Sequence, residues 1–235
     1  MPQFGGENLV ERASVVLILV ARLCAPVFSG ATSAVPPTQV TVKQLIPLAN
    51  WQKQFKITNG KDEGRLVPLT FHRGSGNENG WRLNFGDYAG ILLQNDANGG
   101  LMMERLDLFK SRSVVIYEPA LPIFTRDVSS GVAIVRQANF KMYDRETGRL
   151  KRAGRATHLV KRMSRSQLET PAGVIDGYYI EIEHQMDMPY ARLQMSLGLG
   201  CGVDEGPIYG AGRYTLTKLG LFSETKTAAA GLAIR

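Results

Sequence analysis

From residue 51 onward, apolar and polar residues alternate in short runs, and clusters of turn-forming residues separate the runs: "NGKDEG" (59–64), "GSGNENG" (74–80), "NDANGG" (95–100), "EPALP" (118–122), "DRETG" (144–148), "TPAG" (170–173) and "DMP" (187–189). Successive side chains of a strand point to opposite faces, so a period of two means strands with one buried and one wet face. No long segment has a 3.6-residue apolar period. The pattern predicts an all-β domain with minor helix.

Two hairpins can be registered, because paired strands must put their apolar residues on the same face. An Asn98-Gly99 turn pairs Ile91 with Leu106 and Ala89 with Leu108. In "YYIEIEHQMDMPYARLQMSLGLG" (178–200), a turn centred on Met188-Pro189 pairs Met186 with Ala191, His184 with Leu193, Ile182 with Met195 and Ile180 with Leu197. The wet face then carries Glu181, Glu183 and Gln185 opposite Ser196, Gln194 and Arg192, with Tyr179 covering Gly198 and Glu183 diagonal to Arg192.

The N-terminus has a different pattern. "ASVVLILVA" (13–21) is apolar, follows Arg12 and precedes the small-residue stretch "SGATSA". Nine residues cannot span a bilayer, which takes about 20. The order suits a secretory signal cleaved after Ala31 or Ala34, the alternative being a disordered or helical extension. Expected boundaries are therefore a signal peptide at 1–34, a linker and first strand at 35–50, the β domain at 51–224, and a tail at 225–235 that forms a frayed turn or stays disordered. Export places the protein in the periplasm or outside the cell, with no transmembrane segment after cleavage. Cys24 leaves with the signal, so Cys201 remains alone and no intramolecular disulfide holds the fold.

Charge alters the picture at one place. The chain carries a net +7, and ten lysines and arginines fall between Arg136 and Arg165 against only Asp144 and Glu146. The excess belongs to one local feature that flanks the "DRETG" turn. Lys141, Arg149, Lys151, Arg152, Arg155, Lys161 and Arg162 are the candidate contacts for an anionic partner. Arg149, Lys151 and Arg155 are expected on one face, and a solvated hairpin is the alternative reading. For an exported chain the partners are lipid, lipoprotein or acidic glycan of the envelope rather than nucleic acid, and aromatic residues are too sparse here for a base-stacking platform.

Catalytic constellations are weak. Glu181 and Glu183 stand at i and i+2 of one strand, a spacing that glycoside hydrolysis permits and any alternating strand supplies. His72, His158 and His184 share no ligand spacing, and His184 sits on the apolar face as a hydrogen-bonded core residue. "QNDANGGLMMER" (94–105) has Arg105 where a calcium loop needs a bidentate glutamate, so a hairpin turn accounts for it. Gly198, Gly200 and Gly202 share one strand face and mark curvature, a bulge or close approach, with Cys201 a small core residue beside them. No catalytic residue, metal or cofactor is expected.

"ETPAGVIDGYYIEIE" and "GVDEGPIYGAGRYTLTKLGLF", with "YEPALPI" (117–123) and "GRLKRAGRATHLV" (148–160), resemble a family of secreted bacterial domains of unknown function. The resemblance implies a strongly curved antiparallel sheet, an open half-barrel similar to the outer-membrane lipoprotein carriers, whose concave face packs a core or shelters an apolar moiety. The functional expectation is a secreted, non-catalytic binding protein. Its rivals are an envelope glycan-acting enzyme using Glu181 and Glu183, and a structural envelope protein.

Overall fold

A computed structural model of the chain describes residues 39–59, 61–74, 80–125, 127–129, 133–170, 173–218 and 225–234. The expected signal at 1–34 lies outside the described residues. The elements are β1 (Gln39–Thr41), α1 (Val42–Leu45), β2 (Trp51–Asn59), β3 (Leu66–Arg73), β4 (Trp81–Phe85), β5 (Ala89–Asn95), β6 (Leu101–Leu108), β7 (Ser113–Phe124), β8 (Asp127–Ser129), β9 (Ile134–Asp144), β10 (Leu150–Thr170), β11 (Gly173–Met188), β12 (Ala191–Gly202), β13 (Gly206–Lys218) and β14 (Thr225–Ile234). Among the described residues the fold is all-β with one short helix, as the alternation predicts.

Every strand from β2 to β14 except β8 belongs to one antiparallel sheet, each pairing with the next along the chain and β7 with β9. Its curvature goes beyond an open half-barrel. The strands up to β13 make a nearly closed barrel, and β14 completes it, pairing with β13 from Tyr209↔Ala233 to Thr217↔Thr225 and with β2 from Gly231↔Asn59 to Ile234↔Phe55. The tail expected outside the domain is thus its last strand. "TKTAAAGLAI" shows no apolar alternation, and it is the backbone that finds partners, on the two free edges beside it.

The two registered hairpins bear on how pattern fixes pairing. Ile91↔Leu106 and Ala89↔Leu108 are as expected. In the β11–β12 hairpin the turn is Pro189-Tyr190, one position further on, so Met186 faces Leu193, His184 faces Met195 and Ile182 faces Leu197. The register slips by two and every side chain keeps its face, which is why periodicity alone could not tell the two apart. Asp187, not Glu183 or Gln185, then meets Arg192, at 2.6 Å. The turn expected at 118–122 is a kink within β7: Arg105 faces Ile116 and Met103 faces Leu121, so on the β6 side residues 117–120 stand opposite the single Glu104, while Tyr117 and Glu118 stay paired with Phe140 and Asn139 of β9. Pro119 has no N–H to give a ladder, and a bulge accommodates it. The turns at 86–88 and 109–112 carry no strong turn cluster in sequence.

The barrel interior is filled. Ile57, Phe71, Leu101, Val115, Phe140 and Ile180 are all buried in one continuous cluster. One end, the helix end, is plugged by residues 39–50, expected as a linker and first strand. Val42 and Leu45 are buried in the same core, the Asp204 N–H donates to the Gln44 carbonyl at 2.7 Å, and Trp51, Phe71 and Trp81 stack with ring centroids 5.2 and 5.1 Å apart. The opposite end carries the turns 86–88, 109–112, 145–149 and 189–190 and is called the turn end below. Outward positions along β11 and β12 carry Glu181, Glu183, Gln185, Arg192, Gln194 and Ser196. An apolar inside with a polar outside is the reverse of the pattern in a barrel that crosses a bilayer.

Candidate anion-binding face

The hairpin β9–β10 holds the basic segment, and two single-residue bulges in β10 decide where its cations point. Lys161 is the extra residue between Val160↔Ile182 and Arg162↔Glu181. An extra residue exchanges the faces of the strand. On its N-terminal side Ala156, His158 and Val160 therefore point inward, and Arg155, Thr157 and Leu159 outward. Lys151 is extra between Leu150↔Tyr143 and Arg152↔Met142. That second exchange turns Leu150 outward and leaves Arg152 at the barrel rim, so the single face expected for Arg149, Lys151 and Arg155 does not form.

Pairing sorts the seven predicted contacts into two groups. Lys141 is bound by Glu118 at 2.7 Å, and that carboxylate raises the Lys141 pKa. Lys151 joins Asp144 at 2.7 Å and donates to the Ser111 and Arg112 carbonyls, clamping the 109–112 turn to β10. The Lys151 ammonium and the Thr147 N–H hold the Asp144 carboxyl well below the usual carboxylate range. Lys161 is paired with Glu183. Arg149, Arg152, Arg155 and Arg162 are exposed and have no acid within ion-pair distance among the described residues. Of the acids near them, Glu146 is held by Arg112 at 3.0 Å and Asp187, opposite Arg155, by Arg192 at 2.6 Å, while Glu181, opposite Arg162, is in no ion pair among the described residues.

Glu181 and Glu183 stand on the wet outer face, opposite Gly198 and Ser196. Gly198 and Gly200 lie on that same face, where the Tyr179 and Tyr209 rings occupy the space a Cβ would need. Cys201 is buried, and burial pushes its thiol up to about 12. In the segment 94–105 the Asp96 carboxylate accepts from the Asn98 and Gly100 N–H groups at 2.8 and 2.7 Å, within the hairpin turn that joins β5 to β6.

Two polar groupings escaped the sequence reading. The bulge at Lys161 brings His158 opposite His184 inside the barrel, with ring centroids 5.8 Å apart and the Tyr117 hydroxyl 3.5 Å from His184 Nε2. Neither nitrogen of His158 reaches a partner at full hydrogen-bond geometry among the described residues, although the Ile123 carbonyl is close enough to oppose the effect of burial on its pKa. Burial lowers His158 to about 4 and, with His158 adding to it, His184 to about 3. On the outer face, the Asp107 carboxylate is fully buried between Arg82 at 2.5 Å and Arg105 at 2.8 Å. Gly90 leaves room for it, since a Cβ there would meet Asn84 Oδ1 at 2.8 Å. A cross-strand count from the "TPAG" turn would have found the histidines only if the bulge had been known.

The recess lined by Pro122, Ile123, Phe124, Thr125, Ile134, Arg136 and Val160 holds about 10 Å³, room for one water molecule. No protein family model, curated protein or solved structure matches the chain.

Proposed function

We propose that this chain is an exported, non-catalytic binding protein that meets an anionic component of the cell envelope with the β9–β10 side of its barrel. The observation that carries the reading is the asymmetry of pairing there: Arg149, Arg152, Arg155 and Arg162 stay exposed and outside any ion pair while Asp144, Glu146, Glu183 and Asp187 around them each hold another cation. Unmatched surface arginines cost a fold nothing to lose, but they attract anions from several ångströms away and bind carboxylate or phosphate through a planar fork. The filled interior favours a partner met on the outside. Export rests on the apolar run 13–21, and the family resemblance rests on the turn and strand motifs quoted above.

Retention on a sulfated polysaccharide column tests the reading. Wild-type protein should be retained at low salt and elute as exposed charges become screened, a range of about 8 Å at physiological ionic strength. Replacing Arg149, Arg152, Arg155 and Arg162 with glutamine should abolish retention, whereas K141Q and K151Q, which remove cations already paired, should change it little. Equal losses for both groups would show that total charge matters and this face does not.

A further inference from the structure

At the turn end, the unmatched arginines have apolar neighbours. Leu150, turned outward by the bulge at Lys151, is 51% exposed, and Tyr190, at the tip of β11–β12, is 76% exposed, the highest of any large apolar residue described. The two tips are adjacent, because β10 pairs with β11 up to Arg155↔Asp187 and the same register carried on sets Tyr190 level with Arg152. Arg149 and Arg152 lie beside Leu150 in the chain, and Arg155 is on the outer face of the same strand. The lip is also rigid: Lys151 ties it to Asp144 and to the 109–112 turn, and the Arg145 N–H donates to the Arg112 carbonyl at 2.8 Å.

We infer that this lip docks the barrel end-on against a bilayer containing anionic lipid, with Arg149, Arg152 and Arg155 on the headgroups and Leu150 and Tyr190 in the interfacial layer. The inference rests on the anionic-partner reading and narrows it to a lipid surface. Charge alone fits any polyanion. A soluble acidic glycan, however, offers no apolar phase for an exposed leucine and tyrosine at the same tips, whereas a bilayer interface takes up both, with the tyrosine ring at headgroup depth and arginine stems lying along apolar surface. The polar outer wall of the barrel limits contact to this edge.

Co-sedimentation with phosphatidylglycerol and phosphatidylcholine vesicles, read beside the emission of a Tyr190→Trp variant, tests the docking. Wild-type protein should bind the anionic vesicles and not the neutral ones. Loss of each arginine should weaken binding about fivefold, on the scale of basic residues near a charged leaflet. L150S/Y190S should weaken binding at least tenfold while leaving retention on the polysaccharide column unchanged. The Y190W emission should move to the blue with phosphatidylglycerol vesicles and stay put with the polysaccharide. Retention on the column without vesicle binding would overturn the docking and leave the anionic-partner reading standing, and loss of both would remove the two together. Vesicle binding with an unshifted Y190W emission would place the contact elsewhere on the barrel.

Discussion

His158 and His184 are polar groups in an apolar interior, and their cost depends on pH. At pH 7 both are neutral in the folded chain and mostly neutral in the unfolded one. Burial has lowered the folded-state values from 6.5 to about 4 and about 3, so as pH falls below 6.5 the unfolded chain takes up protons that the folded one refuses. Stability is therefore present above pH 6.5 and is lost as pH drops through the window down to about 4. At pH 5 the loss is about 2 kcal/mol per histidine, from about 1.4 kcal/mol for each pH unit between the two states. The other titratable group facing the pair is Tyr117, which burial keeps protonated throughout this range. Urea denaturation at pH 7.5 and 5 should show the drop in wild type, and H158L should recover about half of it. Removing an imidazole that makes no full hydrogen bond should also leave H158L no less stable at pH 7.5. A flat profile for the wild type would mean that both rings are reached by water.

At the scale of the element, the bulge at Lys161 matters more than the charge that residue carries. With it, β10 presents Ala156, His158 and Val160 to the core and Arg155 to solvent. Were the same residues paired without a bulge, the strand would continue the alternation of Met163 and put Lys161, Leu159, Thr157 and Arg155 inside. Deleting Lys161 itself would remove the bulge and leave every face as it is, but deleting Thr157 shifts the alternation and forces Arg155 or Lys161 inside, so that variant should unfold or cost more than about 3 kcal/mol, because a buried unpaired cation is among the costliest changes a core can suffer. K161A keeps the bulge and loses only a partly exposed ion pair with Glu183, so it should cost less than about 1 kcal/mol. Denaturant midpoints of the two variants decide between backbone and charge. The same bulge marks how far the sequence could be read. Alternation was enough for an all-β chain, for the pairing of Ile91 with Leu106, for the outward glutamates and for the buried Cys201. It could not count bulges, which leave no mark in composition, and so the inward His158, the outward Leu150 and the anchoring of Lys151 were out of reach. It also could not separate registers two residues apart, and the β11–β12 tip with Tyr190 moved accordingly.

Over the whole molecule, the up-and-down order makes nearly every ladder of the barrel local, joining neighbours in sequence. The exception is the seam, where β14 near the C-terminus meets β2, Gly231↔Asn59 through Ile234↔Phe55. Closure is thus the one long-range ladder within the barrel, β1 with β8 lying outside it, and it removes the two free edges that an open sheet of this curvature would offer as templates to other chains. A chain ending at Lys218 keeps the strands from β2 to β13 and the plug at the helix end, but its β13 edge, Tyr209 to Thr217, loses its partner. Such a truncation should associate in a concentration-dependent way, seen as a rising mass by light scattering, while its monomer loses amide protection along β13. Binding to anionic vesicles should survive in the monomer, because β9 and β10 lie several strands from the seam in the order of the sheet. A truncated chain that stays monomeric with β13 still protected would show that the barrel holds its shape without closure, and that the ladder to β14 adds little to it.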